Sequence, residues 1–394
     1  MNDPHGITFH EGRYHLFHQF VPGSTVWAPN CHWGHAVGSD LLHWERRPAA
    51  LAPGQGDDGI WTGRLVEAED GARIFYTSTI ASDYALGRIR VARPTDESWD
   101  GWEKGEFLVD APADLDIVVF RDPFVRQEGD GWRMFVGAGT STGDALAVTY
   151  TSTDLETWQY DGVTARRASS EVEPVWMGAL WECPQIIDVG GRHVLISSVW
   201  DADVLYYAGY GIGDYADGRF DAHDWGQISF GGSYYAPSFF RDEEGRPCLM
   251  FWMRGVSDAQ AGWSSALSLP HLLDVRDGRL VVLPHPAWAA APGRMVDLAG
   301  LTGDPVKVTW TPGAAGDRLE LAPSTTLLWD GTEVLLARAG AETWRAPHAG
   351  GSVDVVIDGP VLEAVTTGGV LGGPVAPVTS AYAAGGQATG WTIG

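Results

Sequence analysis

The chain has 394 residues, a length that favours two domains. Its formal net charge of −25 at pH 7 argues against a nucleic-acid partner, because phosphate recognition needs basic patches. No apolar run reaches the roughly 18 residues that a membrane helix requires, so no membrane partner is expected. Cys31, Cys183 and Cys248 fit neither a zinc nor a redox spacing, and we predict three free thiols.

The first residues bear on location. Met1 is followed at once by Asn2-Asp3-Pro4 rather than by the basic and apolar stretches of a secretory signal. We therefore expect a cytoplasmic protein, or a secreted one if a signal segment precedes Met1. The oligomeric state is left open by the composition.

The predicted elements, taken in chain order, are nearly all strands. The runs that carry them are rich in aromatic and β-branched residues and are bounded by Gly, Asp and Pro. One short helix is expected near 268–275. The clearest predicted strands cover 13–20, 74–80, 132–136, 193–199 and 248–252.

A tripeptide pattern recurs roughly every 60 residues, a period typical of propeller blades. Each copy precedes strand-like sequence, so we expect the inner strand of a blade to leave a central channel there. Five units ending near residue 290 predict a five-bladed β-propeller. The five copies are Asn2-Asp3-Pro4, Trp61-Thr62-Gly63, Arg121-Asp122-Pro123, Glu182-Cys183-Pro184 and Tyr235-Ala236-Pro237.

The amino-acid composition changes beyond about residue 297. Trp becomes rarer, Ala, Gly, Val and Thr dominate, and residues alternate along 333–337 and 353–357. Such strands suit a small β-sandwich. We predict an all-β protein with a propeller domain over 1–296 and a C-terminal β-sandwich over 297–394.

Several acidic residues have a structural explanation. Residues 39–44 resemble residues 153–158, and both segments predict turns that begin at an aspartate, Asp40 and Asp154. We assign a structural role to these two and to Asp214.

Three other acids point to chemistry. Cleaving a glycosidic bond needs two carboxyl groups, one as nucleophile or base and one as proton donor. The tripeptides place Asp3, Asp122 and Glu182 at equivalent points of the first, third and fourth repeats. Because every inner strand of a propeller lines one channel, we expect these acids to converge at its mouth.

The motifs around these acids resemble those of a known family. Met1-Asn2-Asp3-Pro4-His5-Gly6, Phe120-Arg121-Asp122-Pro123 and Trp181-Glu182-Cys183-Pro184 are similar to the three signature motifs of glycoside hydrolase family 32. That family contains invertases, levanases, inulinases and fructan exohydrolases. The resemblance implies a retaining hydrolase of β-D-fructofuranosyl linkages, in sucrose or in the fructans levan and inulin, that acts through a fructosyl-enzyme intermediate.

The resemblance also implies roles for single residues. Asp3 would be the nucleophile, Glu182 the acid/base, and Asp122 a stabiliser that holds fructose hydroxyls together with Arg121. It implies neither a cofactor nor a metal. Substrate-binding positions would be Asn2, Gln19, Trp33, Trp61, Thr62, Arg121, Cys183 and Tyr235.

Several positions depart from the family pattern, among them His5, Arg64 and His271, which replaces an Arg that is often found there. His5 stands where Asn is usual, and Arg64 where a small polar residue is common, so we expect both to reshape the leaving-group side. Substrate preference and exo or endo attack stay open.

Alternative functions remain open on the sequence alone. His32 and His35 suggest a metal site, although residues three apart on a strand face opposite sides. A fructosyltransferase would use the same three acids, and a fructan-binding propeller would use none of them catalytically. An arabinan- or xylan-cleaving propeller lacks support from the motifs.

Overall fold

The computed structural model describes residues 1–290 and 293–393, and its regular structure is almost entirely β-strand. All five strands predicted from apolar runs are confirmed. The helix expected near 268–275 is wrong, because His271–Arg276 forms a strand. Its residues alternate between buried and partly exposed and pair with Arg279–Pro284, so the apolar spacing there has a period of two.

The N-terminal part consists of five successive units of four or five antiparallel strands, and a single parallel bridge, Leu86 to Phe120, joins the second and third units into one eight-stranded sheet. The first unit has β1 (Asn2–His10), β2 (Arg13–Phe20), β3 (His32–Gly38) and β4 (Glu45–Arg46). The second has β5 (Gly59–Ala68), β6 (Gly71–Ile80), β7 (Asp83–Pro94) and β8 (Trp102–Val109). The third has β9 (Ile117–Glu128), β10 (Gly131–Thr140), β11 (Asp144–Ser152) and β12 (Gln159–Ala168).

The remaining units follow the same order, with one short strand between them. The fourth unit has β13 (Leu180–Val189), β14 (Arg192–Asp201), β15 (Val204–Ala216) and β16 (Arg219–Gln227), followed by β17 (Ser229–Phe230). The fifth has β18 (Tyr234–Arg241), β19 (Pro247–Asp258), β20 (Trp263–Leu267), β21 (His271–Arg276) and β22 (Arg279–Pro284). The helix α1 (Pro286–Ala289) comes next.

The first strands of the five units form a closed circuit of contacts. β1 contacts β5, β5 contacts β9, β9 contacts β13, β13 contacts β18, and β18 returns to β1. A backbone hydrogen bond from Glu243 to the Tyr14 hydroxyl, 2.9 Å long, also ties the fifth unit to the first. The five strands therefore line one shared channel, and each tripeptide of the repeat lies on one of them.

The C-terminal part forms two sheets that share a core. One sheet has the order β17-β31-β30-β29-β24-β33-β23 and the other β28-β27-β26-β25-β32. Fully buried residues from both, including Val308, Trp310, Leu327 and Leu336, pack together. The strands are β23 (Met295–Val296), β24 (Val306–Thr311), β25 (Arg318–Ala322), β26 (Thr325–Trp329), β27 (Glu333–Arg338), β28 (Trp344–Pro347), β29 (Val353–Asp358), β30 (Val361–Thr366), β31 (Gly369–Pro374), β32 (Ser380–Ala384) and β33 (Gln387–Thr392).

A buried carboxylate joins the two parts. Glu363 on β30 accepts hydrogen bonds from the Tyr234 hydroxyl at 3.0 Å and from the Leu269 backbone amide at 3.0 Å. Burial raises the pKa of Glu363 to about 7. Strand β17 adds a second link, since it pairs in parallel with β31 of the C-terminal sheet.

Two structural predictions are confirmed. The Asp40 carboxylate accepts the backbone amides of Leu42 and His43, and Asp154 accepts the equivalent amides in its own turn. All three cysteines are buried and free. Within the part of the chain that the structure describes, no helix is long and apolar enough to cross a bilayer.

Candidate active site

An irregularity recurs near the start of every first strand of a unit. The strand pairing shifts register at each tripeptide, as in a β-bulge, which re-aims side chains. In four of the five strands the residue at this point has a positive φ and precedes a proline. These residues are Asp3 (31°), Asp122 (64°), Cys183 (51°) and Ala236 (46°).

Proline suits this position for a physical reason. A bulge leaves a backbone amide without its partner in the ladder, and an unpaired buried amide is costly. Proline has no amide hydrogen, so a bulge placed there orphans nothing. The sequence pattern Xaa-Pro therefore marks the points where side chains turn into the channel.

The bulges arrange the channel residues in two layers. Aligned in this way, Glu182 is equivalent to Arg121 rather than to Asp122, so the predicted equivalence of the three acids is off by one residue. The first layer consists of Asn2, Trp61, Arg121, Glu182 and Tyr235. The second layer consists of Asp3, Thr62, Asp122, Cys183 and Ala236.

Asp3 is held by hydrogen bonds from three neighbours. The Thr62 hydroxyl donates to Oδ2 at 2.6 Å, the Gln19 amide donates to the same oxygen at 3.2 Å, and the Asn2 amide donates to Oδ1 at 3.2 Å. Gln19 also donates to the Thr62 hydroxyl. These donors fix the carboxylate and favour its ionised form.

Glu182 has a different set of partners. Arg121 Nη1 donates to Oε1 at 3.1 Å, and the Tyr235 hydroxyl donates to Oε2 at 2.6 Å. The guanidinium of Arg254 lies 4.7 Å from the centre of the Tyr235 ring and is anchored on backbone carbonyls of residues 205 and 206. Arg121 thus contacts Glu182 directly, and Arg254 contacts the ring of Tyr235, the other partner of Glu182.

Asp122 lies deepest of the three acids and is 5 % exposed. Its Oδ2 accepts the Cys183 backbone amide at 3.0 Å and the Cys183 thiol at 3.6 Å. Its own amide donates to the Thr77 hydroxyl at 2.8 Å. Among the described residues, none donates a hydrogen bond to Oδ1, which leaves that oxygen available for a ligand hydroxyl.

Burial and the neighbouring acids affect the ionisation of Asp3 and Asp122. Burial raises the pKa of Asp3 to about 6; the Thr62 hydrogen bond opposes this rise, and the charge of Glu182 adds to it. Burial also raises the pKa of Asp122, with further contributions from the charges of Glu182 and Asp3, while Arg121 lowers it. The acids from the first, third and fourth units therefore converge in space, as the repeat predicted.

Several predicted substrate-binding residues are placed differently from the expectation. Trp33 is fully buried, and its indole nitrogen donates to the Trp61 carbonyl, so it supports the site from beneath. The Cys183 thiol points to Asp122. His5 is 1 % exposed and packs 3.8 Å from the Trp33 ring, so the expectation that it shapes the leaving-group side is wrong.

Other predicted residues lie at the site. Asn2, Gln19 and Thr62 contact Asp3, while Arg121 and Tyr235 contact Glu182. Trp61 lies beneath the Arg121 guanidinium at 5.0 Å and parallel to the Tyr84 ring.

Sequence reasoning missed Thr77, Tyr84 and Arg254. Each lies on a second or third strand of its unit, away from the repeated tripeptides, so no motif marked it.

A family model agrees with this arrangement. The model described as the glycosyl hydrolases family 32 N-terminal domain matches residues 1–284. The chain belongs to glycoside hydrolase family 32. The match spans all five units and therefore includes the three acids and every first strand.

Two curated relatives of this family 32 chain are a sucrose-6-phosphate hydrolase and a raffinose invertase. It is 33% identical over 306 residues to a sucrose-6-phosphate hydrolase of Zymomonas mobilis, covering 72% of this chain and 59% of that protein. It is 32% identical over 303 residues to a raffinose invertase of Escherichia coli, covering 72% and 62%. The aligned region thus spans about six tenths of the length of these curated relatives.

Solved structures support the fold of the whole chain. A family 32 β-fructofuranosidase of Bombyx mori is 23% identical, with a TM-score of 0.84, over 100% of this chain and 91% of that one. A fructan 1-exohydrolase of Cichorium intybus is 20% identical, with a TM-score of 0.82, over 100% and 95%. The family 32 fold therefore extends through the C-terminal sheets.

The hydrogen bond from Thr62 to Asp3 generates a prediction about pH dependence. Thr62→Val removes a donor to the carboxylate, so the pKa of Asp3 should rise above about 6, by up to about 1 unit. The acidic limb of kcat/KM for a fructoside substrate should move to higher pH by the same amount. Thr79→Val is the control, because that buried hydroxyl donates only to the Gly59 carbonyl. A limb that moves equally in both variants would contradict the assignment.

Proposed function

We propose that this chain is a retaining β-fructofuranosidase that releases fructose from sucrose or from fructans. The observation that carries the proposal is the pairing of Asp3 and Glu182, two carboxyl groups on separate strands at one end of the channel with different hydrogen-bond partners. Glycoside cleavage needs two such groups in two roles. Membership of glycoside hydrolase family 32, shown by the match over residues 1–284, adds support.

The proposed architecture is a five-bladed β-propeller over 1–296 followed by a β-sandwich over 297–394. The closed circuit of first-strand contacts supports five blades around one axis. The two C-terminal sheets with a common apolar core support the sandwich. In this arrangement the blades supply the acids, and the sandwich packs against the fourth and fifth blades.

In the proposed reaction Asp3 attacks the anomeric C2 of the fructosyl group. Glu182 protonates the departing oxygen, and a fructosyl ester then links C2 to Asp3. Glu182 next takes a proton from water, which attacks C2 and releases fructose, so that both carboxyl groups return to their first states. Three donors around Asp3 favour the ionised form that attack requires.

Asp122 is assigned to holding the fructosyl hydroxyls. Its Oδ2 is already occupied by the Cys183 amide, which orients the carboxyl group and leaves Oδ1 for the sugar. An acid next to the reacting carbon also stabilises positive charge in an oxocarbenium-like transition state. Asp122 therefore needs no proton transfer of its own.

A product profile on sucrose, levan and inulin tests the function. We expect free fructose as the first product from at least one of them. Fructose alone means exo-hydrolysis, and oligosaccharides shorter than the substrate mean endo-cleavage. Products longer than the substrate mean transfer to a sugar acceptor, which would replace hydrolysis by a fructosyltransferase reaction. Release of no sugar from any of the three would refute an enzyme and favour a binding protein.

Asp3→Asn should separate catalysis from folding. Turnover should fall by about 10⁴-fold, because the nucleophile is lost. Burial raises the pKa of Asp3 above its value in the unfolded chain. The free energy of unfolding therefore falls as the pH rises from that unfolded value through about 6, because the buried carboxyl group must then ionise. Asn is neutral at every pH, so the free energy of unfolding at pH 8 should increase by about 1–3 kcal/mol. The thermal midpoint at pH 8 should therefore rise.

Asp40→Asn serves as the matched control for that variant. Asp40 accepts backbone amides in a turn, and these bonds contribute to a lowered pKa, so its ionised form is favoured in the folded chain. This substitution should leave turnover unchanged and should not raise the thermal midpoint. Near-normal activity in Asp3→Asn would overturn the nucleophile assignment.

The stereochemistry provides an independent prediction. A double displacement inverts C2 twice, so fructose should first appear as the β-anomer, before mutarotation. Proton NMR during the first minutes of hydrolysis distinguishes the anomers. An α-anomer as the initial product would mean that water attacks directly and that Asp3 acts as a base.

A further inference from the structure

Arg64 follows the second tripeptide and extends into the channel away from Glu182. Its Nη1 donates to the Phe239 carbonyl, and its guanidinium carbon lies 5.0 Å from the centre of the Phe124 ring. Among the described residues, no carboxylate forms an ion pair with it, and the Nε–Nη2 edge donates to none of them. Burial lowers the pKa of Arg64 to about 10, so the group stays charged at neutral pH.

Arg64 lies at the base of a cavity distinct from the catalytic pocket. The cavity has a volume of about 640 Å³ and is lined by the later residues of the same five first strands that carry the acids at their beginnings. It therefore opens at the opposite end of the channel. Arg64 also borders a cavity of about 20 Å³ on the side of Asp122, so it separates the two ends.

The wall of this cavity, which we call the funnel, combines aromatic and aliphatic side chains with charged ones. Phe9 and Trp132 are half-buried there, with Ile187 and Phe239 behind them. A volume of this size is in the range of pockets that bind small organic ligands. Aromatic side chains beside convergent polar and charged groups are typical of such sites.

Three carboxylates of the funnel contact basic side chains. Glu67 bonds His10 at 2.6 Å, Asp188 bonds His193 at 2.6 Å, and Asp242 bonds Arg246 at 2.6 Å.

The remaining charged side chains of the funnel are two arginines and one glutamate. Arg126 bonds the Ile186 carbonyl and Asp188, and Arg241 bonds the Gly245 carbonyl. Glu243 is exposed at the rim. Arg64 has no carboxylate partner among the described residues, and the exposed Arg241 and Glu243 form no ion pair either, in a chain that is strongly acidic as a whole.

We propose that the funnel binds a small organic anion, whose carboxylate or phosphate group pairs with the Nε–Nη2 edge of Arg64 and whose body packs on Phe9 and Trp132. A guanidinium edge offers two parallel donors that match an oxyanion. A buried cation without a counter-charge is costly, and an anionic ligand removes that cost. The proposal does not depend on the reaction assigned to the acids at the other end.

Calorimetric titration of the full chain tests the site with benzoate, benzamide and inorganic phosphate as probes. Benzoate should bind with one-to-one stoichiometry, and benzamide, its neutral analogue, at least about tenfold more weakly. Phosphate binding would show that the oxyanion is sufficient, and binding of benzoate alone would show that the apolar wall is also needed. Both outcomes support the site. Binding of neither anion up to tens of millimolar would overturn it.

Variants locate the binding. Arg64→Met should weaken benzoate binding by at least about tenfold, and Arg64→Lys by less. Arg121→Met removes the cation beside Glu182 and should leave benzoate binding unchanged. Loss of binding in Arg121→Met with retention in Arg64→Met would place the anion at the catalytic end and overturn the proposal. If Arg64→Met fails to fold, the lysine variant and the comparison of benzoate with benzamide still test whether the anion binds at Arg64.

Discussion

Three carboxyl groups share one poorly hydrated end of a channel, and the repulsion among them is the constraint on which the site depends. Burial raises the pKa of Asp3 and of Asp122, and the charge of Glu182 raises both further. The surroundings offset this unequally: Asp3 receives three side-chain donors, Asp122 a backbone amide and a thiol, and Glu182 a guanidinium and a phenol. Unequal surroundings are what allow chemically similar acids to take different roles.

These donors can reach the acids only because the backbone is irregular at matching points. A regular strand alternates its side chains between two faces, so two adjacent residues would not both face the channel. The bulges bring two adjacent residues of each strand to the channel, and in four strands the second of them adopts a left-handed conformation that costs about 1–3 kcal/mol for a non-glycine residue. Packing of the surrounding sheets must hold the backbone in that conformation. Strands in packed sheets can do so more firmly than exposed loops, which is a reason why the site is built on strands.

Much of this was predictable from the sequence, because a repeated tripeptide records the repeated bulge. The strands, the repeat and the convergence of Asp3, Asp122 and Glu182 follow from it. The one-residue offset of Glu182 was missed because the acids were matched by their spacing, whereas the prolines that follow Asp122 and Cys183 align Glu182 with Arg121.

Side-chain direction was the other gap. Trp33 and Trp61 look alike in sequence, yet one is buried in the core and the other borders the site. Only the packing of neighbouring strands separates them. Thr77 and Arg254 contribute through contacts between distant segments, which a single sequence does not display.

The closure of the ring through β18 and β1 has a consequence for how the chain acquires its activity. Tyr14 and Glu243, which meet where the circuit closes, are separated by 229 positions. Contacts at such separation form late, since a long loop must close before they gain anything. The strand that carries Asp3 leaves the ribosome before the fifth unit and finds its final neighbour only when that unit has emerged. The nascent chain lacks the assembled channel until then, and its unpaired β1 edge is exposed to misassembly throughout that interval.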